Sequence, residues 1–156
     1  MEKKESSHRS GRILALDLGS RRIGIAVSDE LRITAQGLEV MQRTSLRQDL
    51  ARLARLASDY GVSLALVGNP RHMNGAEGRQ SEWAREFAGM LEQRAGIPVR
   101  LWDERLTSRE AERVLRSSGI GREKRARAVD RLAAVILLES YLAYIPPGEP
   151  CEETEG

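Results

Sequence analysis

Two short apolar segments near the start of the chain predict a pair of buried strands. Residues 13–18 are apolar except for Asp17, and a second, largely apolar run covers residues 23–28. Short apolar runs of this kind are typical of strands that are covered on both faces of a sheet. The two runs are joined by Gly19-Ser20-Arg21-Arg22, a connection short enough to favour a hairpin. A third strand is expected within residues 33–42.

Helical spacing dominates the rest of the chain. Ser45 and Gln48 form a capping-box pattern, apolar residues then recur every three or four positions, and Gly61 provides a stop. Two more buried strands are predicted, with a polar loop and a helix between them and two helices after them. The two strands cover residues 63–67 and 97–102, and the loop covers 71–78. The helix after this loop carries the stripe Trp83, Phe87, Met90 and Leu91, and the two helices after the last strand cover 107–117 and 129–144.

This order of elements predicts the fold class. A hairpin followed by strands that alternate with helices implies an α/β fold, in which helices flank a mixed five-stranded sheet. The same order is found in RNase H-like folds. One domain is expected over residues 11–146, since ordinary domains contain roughly 100–200 residues. Residues 1–10 and 147–156 are polar and are predicted to be flexible tails.

Composition narrows the class of protein. Of the 156 residues, 40% are hydrophobic, which is enough for a sizeable core. The polar N-terminus does not resemble a signal peptide, and the longest apolar run, residues 132–138, is far shorter than the about 20 residues that cross a bilayer. Cys151 is the single cysteine, so no intrachain disulfide can form. A cytoplasmic location is therefore expected.

Charge becomes informative once it is divided along the chain. The whole sequence has 25 basic and 23 acidic residues, but six of the acids and only three of the bases lie in residues 1–10 and 149–156. Residues 11–148 carry 22 bases and 17 acids. Arginine dominates the bases and is the side chain suited to bidentate phosphate contacts, although a GC-rich genome would give the same bias. The balance permits a nucleic-acid partner without identifying one.

Asp17 interrupts the most apolar predicted strand. A buried carboxylate without a partner costs several kcal/mol, so Asp17 must meet a base, a set of N–H donors or a metal ion. For a lone buried aspartate, an Asp–Arg pair is the commoner explanation. The residue becomes a candidate for chemistry only together with other acids.

Two further acids occupy positions where they could join Asp17. Asp103 and Glu104 follow a predicted strand, and ligands of α/β sheets bind at the carboxyl ends of strands. Because side chains alternate, only one of this pair can readily face Asp17; an exposed acidic turn is the alternative. Asp130 shares a helix face with Ala133, Ala134, Leu137 and Tyr141, unless it is simply a first-turn acid favoured by the helix dipole.

A cation would be needed if Asp17, Glu104 and Asp130 converge. Two like charges about 4 Å apart repel by roughly 4 kcal/mol at an effective dielectric near 20. Mg²⁺ or Mn²⁺ would remove this penalty and prefer such oxygen ligands. A pair of these ions could activate a water molecule and stabilise the leaving oxygen of a phosphodiester.

These acidic segments resemble the motifs of a known family. The run DLGSRRIGIAVSD from Asp17 resembles the first motif of the YqgF/RuvX family, DERLTS from Asp103 its second acidic motif, and VDRLAAVILL from Val129 its last helix. The middle loop matches as well, at Val67-Gly68-Asn69-Pro70 and Asn74-Gly75, except that Asn69 stands where the family usually has leucine. The resemblance covers about residues 11–145, with four motifs in order.

The resemblance implies a fold, a site and a function. It implies an RNase H-like fold with Holliday-junction-resolvase ancestry, and a metal-dependent nuclease that trims the 5′ end of the small-subunit ribosomal RNA precursor. The implied catalytic and metal-binding set is Asp17, Glu104 and Asp130, with Mg²⁺ or Mn²⁺. Basic residues could hold phosphates of the nucleic acid, although each could equally be a solvated surface charge: Arg21, Arg22, Arg105, Lys124, Arg125 and Arg127.

Three other functions compete with this interpretation. A DNA junction resolvase shares fold, metals and reaction type, but would require a symmetric dimer to make paired cuts. A ribosome-associated binding module without activity would have no need to gather acids near phosphates. The segment after Asp17 also resembles the phosphate loop of actin-like ATPases and sugar kinases, which need two lobes where this chain has room for one. Monomer and homodimer both remain open.

Overall fold

A computed structural model of the chain describes residues 11–19, 21–70, 76–104 and 122–144. The strands within these residues are β1 (Arg12–Leu18), β2 (Arg22–Ser28), β3 (Ala35–Gly37), β4 (Met41–Gln42), β5 (Val62–Pro70) and β6 (Val99–Glu104). The helices are α1 (Leu46–Tyr60), α2 (Ala76–Ala95) and α3 (Arg122–Tyr144). The helix predicted over residues 107–117 and both predicted tails lie outside the described residues.

The strands form one mixed sheet, as the element order predicted. Their order is β3-β2-β1-β5-β6, and β4 also pairs with β2. The first two strands are antiparallel, whereas β1, β5 and β6 run parallel. The parallel strands therefore bring their carboxyl ends to one edge of the sheet.

The predicted count of five strands is wrong, because the expected third strand is split into β3 and β4. On β2, Ala26 pairs with Gly37 and Ile23 pairs with Met41. Three steps along β2 thus face four steps along the partner, which is the mismatch of a β-bulge. The extra residue interrupts the ladder, and the structure has six strands.

Helices cover both faces of the sheet. Leu14 and Leu16 pack on the face covered by α1 and α2, while Ile13 and Ala15 pack against α3. Side chains alternate along a strand, so Asp17 continues the series that faces α3. We call this side of the sheet the α3 face.

The helix ends agree in part with the sequence signals. Helix α1 begins after Ser45, whose hydroxyl accepts from the amide N–H of Gln48, and ends at Gly61 with φ of 65°. Helix α2 begins at Ala76, so the last three residues of the predicted loop 71–78 are helical. Helix α3 begins at Arg122, well before the predicted residue 129. None of the helices in the described residues is long and apolar enough to span a membrane.

Candidate active site

The sheet brings two of the predicted acids to the same edge. Asp17 is the sixth of the seven residues of β1, and Glu104 is the last residue of β6. The register places Leu16, Val67 and Leu101 in one row. Asp17 lies one residue beyond this row, and Glu104 lies three residues beyond it. Strand β5 separates the two strands that carry them. The backbone of position 104 is therefore at the carboxyl edge, whereas its side chain lies outside the described residues.

A glycine allows the third acid to approach Asp17. Gly24 is the direct partner of Asp17 in the β1–β2 ladder. A Cβ at Gly24 would lie 1.9 Å from the carbonyl oxygen of Asp130 and 3.4 Å from its Cα. Helix α3 thus packs directly on the backbone of β2. Since cross-strand Cα neighbours are about 4.5–5.5 Å apart, the Cα atoms of Asp17 and Asp130 lie within roughly 10 Å.

Asp130 is paired with an arginine of β2. Nε of Arg22 donates to Oδ2 of Asp130 at 2.7 Å, and both side chains are partly exposed, by 27% and 21%. Among the described residues this is the one contact of the Asp130 carboxylate, and Oδ1 accepts no hydrogen bond from them. Asp130 lies eight residues into α3, so the alternative of a first-turn acid held by the helix dipole is wrong.

The donor atoms at this position suit a hard cation. Asp17 is 8% exposed and faces α3, and the backbone of Asp130 packs on Gly24, the cross-strand neighbour of Asp17. Carboxylate oxygens are the ligands that Mg²⁺ and Mn²⁺ favour. No group of three His, Cys, Asp or Glu side chains that could hold a metal occurs among the described residues. The predicted third ligand, Glu104, has its side chain outside that part of the chain. The two described acids fit a metal without completing a site.

Comparison with known proteins decides the family. A family model described as "RuvX: Holliday junction resolvase" matches residues 11–144. The chain belongs to the RuvX family.

Relatives of this RuvX chain carry an RNA-directed name. Proteins from Koribacter versatilis and Agathobacter rectalis, both named "Putative pre-16S rRNA nuclease", are 51% and 47% identical to it over 139 and 137 residues. These matches cover 89% and 86% of the chain and 91% and 96% of the relatives. Thermus thermophilus RuvC, solved with a Holliday junction substrate, superposes with a TM-score of 0.56 at 17% identity, over 90% of this chain and 99% of RuvC. That likeness confirms the predicted RNase H-like, resolvase-type fold.

The basic residues predicted for this RuvX chain have different positions. Arg22 contacts Asp130, and Arg21 is exposed on the connection between β1 and β2. Lys124, Arg125 and Arg127 belong to the first turns of α3, upstream of Asp130, but their side chains lie outside the described residues. Arg105 is outside them altogether, as is His72. The prediction of phosphate contacts for this group remains a prediction.

Sequence reasoning missed a second acid–arginine pair, which supports the β1–β2 connection from the other face. Nη1 of Arg43 donates to the carbonyl oxygen of Gly19 at 2.7 Å, and its amide N–H donates to the carbonyl oxygen of Arg21 at 2.9 Å. Its guanidinium lies over the Trp83 ring, 5.5 Å from the centroid, and Nε is 4.0 Å from Oδ2 of Asp49. Asp49 was detectable in the sequence, because it lies on the apolar stripe of α1, one turn before Leu53.

Proposed function

We propose that this RuvX chain is a metal-dependent phosphodiesterase that processes the 5′ end of pre-16S rRNA, with Asp17, Glu104 and Asp130 as ligands for Mg²⁺ or Mn²⁺. The observation that carries the proposal is the contact of Asp130 with Gly24, the direct neighbour of Asp17. A glycine under a helix backbone is otherwise a costly choice for a strand. Here it brings two acids from distant parts of the chain to the edge where ligands of α/β sheets bind.

Glu104 is the natural third member of this set. It ends β6 at the same edge and comes two residues after Trp102. The indole N–H of Trp102 donates to the hydroxyl of Ser140 in α3 at 3.0 Å, so Trp102 is on the α3 face. Alternation along β6 therefore predicts that position 104, and not Asp103, is on the α3 face. This supports Glu104 as the acid that the family motif implies.

The proposed reaction gives each of the described site residues a role. Asp17 is held in the centre of the sheet and Asp130 is fixed by α3, so their carboxylates are pre-oriented. When bound, the metal would activate the attacking water and stabilise the leaving oxygen. Exposed arginine on the adjoining β1–β2 connection, at Arg21, provides positive charge for the nucleic-acid backbone. The residues orient the phosphodiester and neutralise its charge.

RNA is favoured as the substrate by the names of the relatives. Proteins up to 51% identical over most of their length carry the pre-16S rRNA name, whereas the junction-bound RuvC is 17% identical and speaks for the fold. The description of the family as a Holliday junction resolvase keeps junction DNA as the second candidate substrate. A cytoplasmic enzyme acting on ribosomal precursors fits both the composition and these names.

The proposal is tested with a 5′-extended small-subunit rRNA precursor and a four-way DNA junction, each with Mn²⁺, with Mg²⁺ and with EDTA. Because a catalytic metal is worth several kcal/mol in the transition state, Asp17→Asn, Glu104→Gln and Asp130→Asn should each reduce cleavage by about 10³-fold. Asp59→Asn, at an exposed acid of α1, is the matched control and should cleave like the wild type.

Each outcome has a distinct meaning. Metal-dependent RNA cleavage that is lost in the three variants supports the proposed nuclease and its triad. Cleavage of the junction alone would make the chain a resolvase. RNA binding that is unaffected by the three substitutions, with neither substrate cut, would contradict the nuclease and favour a binding module.

A further inference from the structure

Arg22 has more hydrogen-bonding capacity than its contact with Asp130 uses. A guanidinium has five N–H donors in a fixed planar arrangement. Nε–H donates to Asp130, and the four N–H groups on Nη1 and Nη2 have no acceptor among the described residues. The side chain is 27% exposed, so part of it reaches solvent at the acidic edge.

Both ends of this contact are fixed by the backbone. The carbonyl oxygen of Arg22 accepts from the amide N–H of Gly19 at 2.9 Å, and Arg22 pairs with Gln42 in the β2–β4 ladder. Asp130 is held against Gly24, two residues further along β2. The backbones that carry the Nε–Oδ2 contact are therefore held close together, and the contact leaves the Nη groups beside the acid.

We propose that Arg22 couples metal binding to nucleic-acid binding, with Nε on the Asp130 carboxylate and the Nη groups on a substrate phosphate. This rests on the proposed function, since it requires a metal at Asp130. A phosphate is the ligand that matches the free part of the guanidinium, because arginine binds phosphate through two parallel N–H groups.

Charge determines the direction of the coupling. Without nucleic acid, the cationic guanidinium is a close neighbour of any cation bound at Asp130, and like charges at short range repel. A phosphate on the Nη groups brings negative charge to the same position and cancels this repulsion. Metal affinity should therefore be low in the free protein and rise when a phosphodiester binds. By reciprocity, the metal raises nucleic-acid affinity by the same factor.

The test is Mn²⁺ binding by calorimetry, with and without a 12-nucleotide single-stranded RNA whose phosphorothioate linkages resist hydrolysis. For the wild type we expect the RNA to raise Mn²⁺ affinity by about tenfold, within the usual range of coupling between sites. Arg22→Gln should bind Mn²⁺ several-fold more tightly without RNA and gain less than about twofold from it. Arg22→Lys keeps the charge but not the planar set of donors, so its metal affinity should stay low and its gain should fall.

Arg55→Gln is the matched control, because Arg55 is an exposed arginine of α1, on the face of the sheet opposite α3. It is expected to keep the wild-type Mn²⁺ affinity and the wild-type gain from RNA. A tenfold gain that persists in Arg22→Gln would overturn the coupling. So would weaker Mn²⁺ binding by Arg22→Gln without RNA, which would make Arg22 a residue that only positions Asp130. A wild-type protein that is folded but binds no Mn²⁺ would instead refute the metal site of the proposed function.

Discussion

The β1–β2 connection is flanked by two acid–arginine pairs, one on each face of the sheet. The pairs differ in how many contacts the carboxylate makes and in how far it is exposed. On the α1/α2 side, Asp49 is 1% exposed and accepts at Oδ1 from both the amide N–H and the hydroxyl of Thr44, each at 3.1 Å, while Oδ2 faces Arg43. On the α3 face, the Asp130 carboxylate is partly exposed and, within the described part of the chain, contacts only Arg22.

This difference separates a structural acid from a functional one. A buried carboxylate with one oxygen hydrogen-bonded twice and the other facing an arginine serves to hold the fold together. A carboxylate with one oxygen held and the other open is pre-oriented for a ligand. Both kinds look alike in sequence, as an acid within a helix that also carries apolar residues. The distinction depends on the neighbours that the fold supplies.

The largest effect is expected at Gly24, the position that lets α3 reach Asp17. Gly24→Ala would place Cβ 1.9 Å from a backbone oxygen of Asp130, and backbone atoms cannot rotate away. Helix α3 would have to move, which should lower the free energy of unfolding by about 3 kcal/mol and abolish cleavage. Urea denaturation and the precursor assay measure the two effects.

Gly89→Ala provides the control with the same chemical change. Gly89 lies in α2, and its added Cβ would meet nothing within 4 Å. Replacing glycine by alanine inside a helix stabilises by roughly 0.5–1 kcal/mol. A Gly24→Ala protein that is as stable and active as Gly89→Ala would show that close packing of α3 on β2 is not required.

The next effect tests whether Asp49 is purely structural. Asp49→Asn removes the charge opposite Arg43 and should lower the free energy of unfolding by about 2 kcal/mol. This is less than a fully buried ion pair would lose, because Arg43 is partly exposed and 4.0 Å away. Cleavage below the unfolding temperature should change less than threefold. The opposite pattern is expected for Asp130→Asn, with little loss of stability and a loss of cleavage. If Asp49→Asn lost activity while stable, the contrast between the pairs would fail.

A smaller effect is expected at Arg43, which joins the structural pair to the connection that carries Arg22. Arg43→Lys keeps the positive charge near Asp49 but cannot also donate to Gly19 with the same geometry. We expect the free energy of unfolding to fall by about 1 kcal/mol and cleavage to fall by a few-fold, since Arg22 begins the strand that this connection enters. Arg47→Lys, at an exposed position of α1, should change neither quantity. An Arg43→Lys protein with unchanged stability and cleavage would show that the Arg43–Asp49 pair does not affect the Arg22–Asp130 pair.

The sequence predicted the architecture well where the pattern was strong. The strands around Asp17 and the capped helix from Leu46 follow from apolar runs and from Ser45 and Gly61, which are local signals. The split of the third strand was not predictable, because a bulge depends on the register between β2 and its partner. The helical spacing predicts the face of α3 that carries Asp130, but the contact with Arg22 joins residues 108 positions apart. No local pattern encodes such a contact; the nearest signal was Gly24, inside a strand.

The smallest predicted effect concerns Asp29, an acid at the far end of β2 whose carboxylate accepts hydrogen bonds from backbone amides. The amide N–H groups of Ile33 and Thr34 donate to its Oδ1 at 2.8 and 2.7 Å. The backbone N–H of Thr34, more than any other group, lowers the pKa of Asp29 below its usual value of 3.8. A lowered folded-state pKa means that this carboxylate stabilises the fold above the unfolded pKa and loses that effect as pH falls through the folded pKa.

Because the site is largely solvated, Asp29→Asn should lower the free energy of unfolding by less than about 1 kcal/mol at pH 7. Urea denaturation of wild type and variant should show this difference at pH 5–7 and no difference well below pH 3.8. A difference that grew on acidification would mean that the N–H donors do not favour the charged form of Asp29.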